Sequence, residues 1–341
     1  MKYQDVVDYN QIDPAKILGQ KAAWQTKDNL PNGFTEISSS RGESAYVLDA
    51  GSFYLATLIE GLGTKSLLDD HYDWLAQDTI AMAINDLITV GAKPLTLHAY
   101  WATGDSNWFN NKKRMQDLVN GWKKACNLAK IVWAGGETPV LSGIINSGSI
   151  DLACSVTGII SPKSRLTLGN KLSAGDVIIL LESSGIHANG LTLARKVIKD
   201  KENIKKLLTP TIIYSRFLED LFSKNIELHY MANITGHGWR KLMRHPKKLT
   251  YQIDKLPAVP EILQTIIKKA NLTAQEAYAT FNMGAGFALF CDKNQVAKIM
   301  NISAKNNLKA WVAGFVKQGP KQVVVKPLNL VYKQDSLKLR I

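Results

Sequence analysis

Hydrophobic positions recur along this chain with two alternating periods. Phe53-Tyr-Leu-Ala-Thr-Leu-Ile59, Leu95–Trp101, Ile131–Ala134 and Ile150–Ile160 are short apolar or alternating runs, which predict strands. Between them, Gln77–Val90 and Trp108–Ala129 carry helical periods. In the first, Ile80, Ala83, Ile84, Leu87 and Ile88 form the apolar stripe, and Gly91 suits a C-terminal cap. The first 45 residues are polar, with loops predicted at Pro31-Asn-Gly and Ser38-Ser-Ser-Arg-Gly-Glu43. Around residues 161–175 the texture changes to a polar linker containing Ser161-Pro, Gly169-Asn and Ala174-Gly-Asp. Alternation then resumes. Strands are predicted at Val177–Leu181, Leu249–Ile253, Gly286–Cys291, Ala310–Val316 and Gln322–Lys326. Helices are predicted near Asn189–Lys199, Pro210–Ser223, Pro260–Lys269 and Gln295–Lys305. Both halves read as mixed α/β, with domains expected at 1–165 and 166–341.

Composition narrows the class. The 341 residues are 45% hydrophobic, enough for two domains with sizeable cores. No run approaches the roughly 18–20 apolar residues of a membrane span. The polar, acidic start Met1–Asp8 has no apolar signal-like core. Cys126, Cys154 and Cys291 are odd in number, far apart and set in apolar segments. They predict reduced thiols in a cytoplasmic protein, without a disulfide framework or zinc motif. Charge is uneven: residues 1–160 hold 13 Lys and Arg against 17 Asp and Glu, whereas 161–341 hold 29 against 12. The basic half has scattered lysines and no aromatic-interleaved basic stripe. That pattern suits a solvated surface that steers anionic ligands better than a nucleic-acid interface.

Candidate chemistry sits at strand ends. Glu60-Gly-Leu-Gly-Thr-Lys65 follows the first strong strand and brings a carboxylate, Gly61, Gly63, the Thr64 hydroxyl and an ammonium into one turn. Such a turn can hold a metal ion with its acid and a phosphate with the rest. On the next helix, Asp78 and Asn85 are seven apart and share a face, with Asp86 close by. Oxygen donors grouped in this way suit Mg²⁺. Ala134-Gly-Gly-Glu-Thr138 offers two glycines for close backbone approach, an acid and a hydroxyl. Ser183-Ser-Gly-Ile-His-Ala-Asn-Gly190 follows a strand and precedes a helix, where hydroxyls and backbone N–H groups can meet an anion. His187 there could exchange a proton or donate to phosphate. Ile234-Thr-Gly-His-Gly238 and Phe281-Asn-Met-Gly-Ala-Gly286 are two further glycine turns.

The order and spacing of these motifs resemble the aminoimidazole ribonucleotide synthetase family. The family's Asp-Gly-Val-Gly-Thr-Lys corresponds to Glu60–Lys65, and its Asp-Thr-Ile-Gly and Ala-Met-Cys-Val-Asn-Asp-Leu to Asp78–Ala81 and Ala81–Leu87. Gly91-Ala-Lys-Pro-Leu95, Trp101-Ala-Thr-Gly104, Gly135-Gly-Glu-Thr138, Ser183–Gly190 and Phe281–Gly286 continue the series. The resemblance runs from about Asp13 to Val316. Four departures stand out. Glu60 replaces Asp, and no Gly-Gly-Phe-Gly loop precedes the first strand. Pro139-Val-Leu-Ser-Gly143 replaces Ala-Glu-Met-Pro-Gly. Thr235-Gly-His-Gly238 followed by Lys241-Leu242 replaces Thr-Gly-Gly-Gly and a Glu-Asn pair.

The resemblance implies a two-domain α/β (α+β) fold whose N-terminal domain forms a β-barrel across a homodimer. It implies ATP-dependent ring closure of formylglycinamidine ribonucleotide, with ATP and Mg²⁺ as cofactors and the phosphorylated ribonucleotide as substrate; the departures leave as alternatives another ATP-using kinase or synthetase of the same superfamily, or a non-catalytic dimeric paralogue that binds a nucleotide or partner. Glu60, Asp78, Asn85 and Asp86 are then expected near metal, with Glu60, Lys65 and His187 as catalytic groups. Gly61, Gly63, Thr64, Gly135, Gly136, Glu137 and Thr138 are expected at the nucleotide. Ser183, Ser184, Asn189, Thr235 and His237 are expected at the substrate.

Overall fold

Residues 9–68 and 70–337 are described by a computed structural model. The acidic stretch Met1–Asp8 lies outside the described residues. The first half contains α1 (Tyr9–Trp24), β1 (Thr35–Glu36), β2 (Tyr46–Asp49), β3 (Tyr54–Gly61), α2 (Tyr72–Leu87), β4 (Lys93–Thr103), α3 (Lys112–Ala129), β5 (Val132–Glu137) and β6 (Ile150–Ile160). Its sheet runs β1-β2-β3-β6-β4-β5, and only the β4–β5 pair is parallel.

Strand alternation decides which face of this sheet is covered. Ile150, Leu152, Cys154 and Val156 of β6 point to the buried side with Ala56 of β3 and Leu97 of β4. Helix α2 lies on that side and is buried almost throughout from Leu75 to Leu87. Helix α3 packs on α2 so closely that a Cβ at Gly121 would lie 2.4 Å from the Asp73 Cα. The opposite face stays open. Ile59 is 71% and Val132 is 62% exposed, both on that side or its edge.

The second half contains β7 (Val177–Glu182), α4 (Leu191–Val197), α5 (Lys201–Leu208), α6 (Ser215–Ser223), β8 (Tyr230–Asn233), β9 (Leu249–Ile253), α7 (Glu261–Ala270), α8 (Ala274–Thr280), β10 (Ala285–Cys291), α9 (Val296–Lys305), β11 (Ala310–Gln318), β12 (Gln322–Val325) and β13 (Leu330–Lys333). The seven strands run β13-β12-β9-β11-β7-β10-β8, and only β9–β12 is parallel. Both faces of the central strands are covered, as their continuous apolar runs demand. Val177, Ile179, Leu181, Phe287 and Leu289 join the core that contains α2, α3 and α6. Ile178, Leu180, Ala288 and Phe290 face a second core with α4, α7 and α8. The two halves therefore share one hydrophobic core.

Two segments differ from the periodicity. The polar N-terminal region contains helix α1, which is mostly exposed and carries Pro14, so no broad apolar stripe marks it. Residues 209–214, expected to open a helix at Pro210, run without helix until Ser215. Side chains of α2 hold the backbone of this stretch, which removes the need for helical hydrogen bonds. Gln77 Nε2 donates to the Thr211 carbonyl (3.0 Å), and Asn85 Nδ2 donates to the Ile212 carbonyl (2.7 Å).

Candidate active site

Strand β3 ends in the Glu60–Lys65 turn, and Gly63 takes the left-handed φ of +68° that the turn requires. The turn splits its charges. Lys65 points inward and is 0% exposed. Its Nζ lies 2.7 Å from Asp78 Oδ2 and donates to the carbonyls of His187 (2.9 Å) and Thr209 (3.1 Å). The other Asp78 oxygen accepts from the Thr211 N–H at 2.9 Å and from the Thr211 hydroxyl. Burial pushes the Asp78 carboxyl up and the Lys65 ammonium down from their ordinary ranges, while each partner opposes the shift. The donors around Asp78 and the acceptors around Lys65 match the charged forms of both. Thr64 remains nearer the surface, with its Oγ1 3.3 Å from that of Thr192.

Glu60 belongs to a different corner. Its side chain shares the covered face with Cys154 and comes within hydrogen-bonding reach of Asp86 on α2. Burial, then the Asp86 charge, pushes the Glu60 carboxyl up to about 7. Asn233, at the end of β8, donates to Asp86 Oδ1 at 2.8 Å. The second half completes this corner with Lys241. Lys241 is buried, donates to the Thr235 hydroxyl and interacts electrostatically with Asp86 and Glu60. Arg244 lies beside it and holds the segment before β2. It donates to the Gly42 carbonyl (2.9 Å) and the Ser44 hydroxyl (2.7 Å).

The 183–190 loop is internally braced. Ser183 Oγ donates to Asn282 Oδ1 (3.0 Å), and Ser184 Oγ donates to the Pro210 carbonyl (2.6 Å). His187 takes a positive φ of 60° and accepts from the Ser184 N–H at Nε2 (3.1 Å). Its proton therefore sits on Nδ1. Burial pushes its pKa down to about 3, so the ring is neutral at physiological pH. A side chain at Gly286 would strike it, because an added Cβ lies 2.5 Å from the imidazole Cε1. Asn189 Oδ1 accepts from the Gly236 N–H (3.0 Å), which joins this loop to the Thr235–Gly238 turn. His237 in that turn is buried and left-handed, and burial lowers its pKa to about 3.

Gly135–Thr138 does not join these corners. Sheet register runs Glu60, Cys154, Ala99, Gly136 across four adjacent strands. Three inter-strand steps separate Glu60 from Gly136, roughly 14 Å. Glu137 and Thr138 are exposed at that edge. A Cβ on Gly136 would lie 2.2 Å from the Ala99 carbonyl oxygen, so glycine permits the close β4–β5 pairing.

The four oxygen-donor residues expected around a metal are thus divided. Asn85 uses both amide atoms on the 209–214 segment, with Oδ1 accepting from the Tyr214 N–H at 3.1 Å. Asp78 is engaged by Lys65 and Thr211. Glu60 and Asp86 remain together, with an ammonium beside them. Among the described residues, no group of three or more His, Cys, Asp or Glu is arranged to hold a metal ion. Motif reading passed over Thr211, Asn233 and Lys241. Lys241 had a signal, the departure after the Gly-His-Gly turn. Asn282 had another, its place in the Phe281–Gly286 motif.

Comparison with known proteins adds a relationship to this geometry. The AIR synthase related protein N-terminal domain matches residues 42–160, and the corresponding C-terminal domain matches 173–326. A phosphoribosylformylglycinamidine cyclo-ligase of Carboxydothermus hydrogenoformans is 35% identical over 302 residues, covering 82% of this chain and 86% of that protein. A protein of the same name from Methanocaldococcus jannaschii is 37% identical over 289 residues, covering 80% and 81%. Among solved structures, AaThiL complexed with AMPPCP and TMP gives a TM-score of 0.66 at 15% identity, covering 98% of this chain and 97% of that one. Hydrogenase maturation protein HypE in complex with ATP gives 0.63 at 16% identity, covering 82% and 83%. At such identities the structural likeness speaks for the fold.

Proposed function

Because the chain belongs to the AIR synthase related protein family, we propose that it is an ATP-dependent cyclo-ligase. It converts formylglycinamidine ribonucleotide to aminoimidazole ribonucleotide in purine biosynthesis. The observation that carries this reading is the match of more than 30% identity over four fifths of the chain to proteins of that name. Both halves of the chain also build the polar corner around Glu60. The chemistry is phosphoryl activation. An amide oxygen is a poor leaving group, so ATP phosphorylates the formyl oxygen, the amidine nitrogen attacks that carbon, and phosphate departs as the ring closes.

Residues take the following roles in this proposal. Glu60, Asp86, Thr64 and Lys241 line the phosphoryl-transfer corner. The 183–190 loop and the Thr235–His237 turn meet the ribose phosphate, with buried, neutral His187 as a positioning residue that holds the loop through the Ser184 N–H. Gly135–Thr138 meets the nucleotide from the sheet edge. Lys65 and Asp78 act as positioning residues, because their polar atoms already face protein groups. Mg²⁺, which would neutralise phosphate charge, accompanies the nucleotide in this reading. Asp78 and Asn85 do not fit as ligands of a resident ion, since both are saturated.

The open face of the first sheet supports a homodimer in which that sheet closes a barrel with its partner. Exposed Ile59 and Val132 are the apolar groups such a contact would cover. A monomer in sedimentation at micromolar concentration would remove that part of the proposal. The absence of any helix long and apolar enough to cross a membrane, among the described residues, is compatible with the cytoplasmic location proposed from the buried free cysteines.

Incubation with ATP, Mg²⁺ and formylglycinamidine ribonucleotide should yield ADP and the aminoimidazole product in equal amounts. Substrate-dependent ADP without the imidazole would assign another acceptor, and no nucleotide binding in calorimetry would end the enzymatic reading.

A further inference from the structure

A cleft of about 660 Å³ lies between the inter-domain linker, residues 162–171, and the wall formed by the end of α6 and the lead-in to β8. The proposed reaction makes no use of it. His229 immediately precedes β8, whereas Asn233, which holds Asp86, ends that strand. Four residues of extended chain, roughly 13 Å, separate the two. The cleft is preformed, because groups outside it fix the linker. The Thr167 hydroxyl donates to the Thr89 carbonyl (3.0 Å), and Lys247 Nζ donates to the carbonyls of Gly169 (3.1 Å), Asn170 (2.8 Å) and Leu172 (2.8 Å). A space of this size suits a small organic molecule.

The walls define what such a molecule must offer. Each cation that lines the cleft already meets a carboxylate: Arg165 meets Glu219 through both terminal nitrogens, Lys171 meets Glu227, and Lys163 meets Asp49. No surplus positive charge is left to hold an anion. The Arg165 guanidinium lies over the Phe222 ring, 4.3 Å from its centroid, with its edge on Glu219. Its second face is therefore the flat surface presented to the cleft, and guanidinium planes stack on aromatic ring systems. On the opposite wall, His229 Nδ1 lies 2.9 Å from Asp176 Oδ1. A carboxylate only accepts, so Nδ1 carries the proton and Nε2 of the neutral ring is an acceptor. Asp176 is buried and also accepts from the Ser173 N–H (3.0 Å), which fixes the imidazole with Nε2 on the side of the cleft.

We propose that this cleft binds an uncharged nucleoside, its base stacked on the Arg165–Phe222 wall and a ribose hydroxyl donating to His229 Nε2. A planar ring, a hydroxyl donor and the lack of charge are the three properties the walls select, and a nucleoside combines them. A nucleotide is selected against, because its phosphate would meet Glu219 and Glu227 without an unmatched cation. The inference does not depend on the cyclo-ligase reading, so either can fail alone.

The test is equilibrium dialysis of the full chain against adenosine and against uridine, with excess AMPPCP present to occupy a nucleotide site elsewhere. At least one nucleoside should bind one-to-one with a Kd below about 1 mM. Ser223→Trp, at an exposed position on the cleft wall, should fill the space and weaken binding at least about tenfold. His229→Leu should weaken it about two- to tenfold, the share of one neutral hydrogen bond. The matching nucleoside monophosphate and free ribose should each bind at least about tenfold more weakly than the nucleoside. Absence of binding by both nucleosides, binding that Ser223→Trp leaves unchanged, or a monophosphate or ribose that binds as tightly as the nucleoside would each overturn the proposal. The Ser223→Trp comparison stands even if His229→Leu does not fold, and unchanged binding by a folded His229→Leu protein would overturn the assigned acceptor.

Discussion

Two polar corners draw their acids from the end of β3 and from helix α2, and they are built to opposite ends. At the Lys65–Asp78 corner every polar atom of the pair meets protein: two carbonyls, a backbone N–H and a hydroxyl surround the ion pair. At the Glu60–Asp86 corner the two acids lie together, Asp86 accepts from Asn233, and the buried Lys241 donates to the Thr235 hydroxyl. The first corner joins the strand-end turn, helix α2 and the 187 and 209–211 segments of the second half. It fixes geometry. The second corner is the one assigned to phosphoryl transfer in the proposed function. Burial is common to both; what separates them is that Asp78 is closed by an ion pair with Lys65 and two hydrogen bonds from Thr211, whereas Asp86 and Glu60 face each other.

The largest effect should come from breaking the saturated corner. Asp78→Ala leaves the Lys65 ammonium buried without its anion, and should cost about 3–5 kcal/mol in urea unfolding. A loss below about 1 kcal/mol would show that the corner is not sealed as described. Acidification should come next. The folded pKa values of His187 and His237 are near 3, and that of His245 is near 4, all below the ordinary value of 6.5. The unfolded chain therefore takes up protons first as pH falls below 6.5, and stability drops from there toward pH 4. Glu60 opposes this, because its raised pKa makes the folded state hold its proton between about 4.5 and 7. Three histidines less one carboxyl leave a difference of about two protons, so the net loss should be roughly 2–3 kcal/mol per pH unit between pH 6 and 5. A melting temperature that stays flat from pH 6.5 to 4 would contradict the buried, neutral histidines.

The smallest change in stability should follow Lys241→Met. With the ammonium gone, Glu60 can remain protonated beside Asp86, so the cost should stay within about 1 kcal/mol. If the proposed phosphoryl-transfer role of this corner holds, turnover should nonetheless fall by at least about 100-fold, through loss of charge there. A stability loss as large as that of Asp78→Ala would erase the contrast between the two corners.

Much of this molecule was legible in its sequence. Strands β3, β6 and β7 follow from runs of period two or from unbroken apolar stretches, and α2 follows from its 3.6-residue stripe. The glycine turns at strand ends were visible because a left-handed or closely packed backbone position favours one residue type. Helix α1 was not visible, since an exposed helix has no broad apolar stripe to betray it. The irregular stretch 209–214 was hidden for another reason: its hydrogen-bond partners lie more than 120 residues away, on α2.

Local chemistry thus determined the elements, their order and the family, because periodicity, caps and turn residues act between near neighbours. Tertiary structure decided what each polar side chain is for. Asp78 and Asn85 share a helix face, as their spacing requires, yet that face meets the 209–214 segment, and its backbone satisfies both. Asn233 became the partner of Asp86 only when β8 was laid beside α2. Whether a buried charge holds the fold together or awaits a ligand depends on which distant groups complete its hydrogen bonds, and packing alone supplies those.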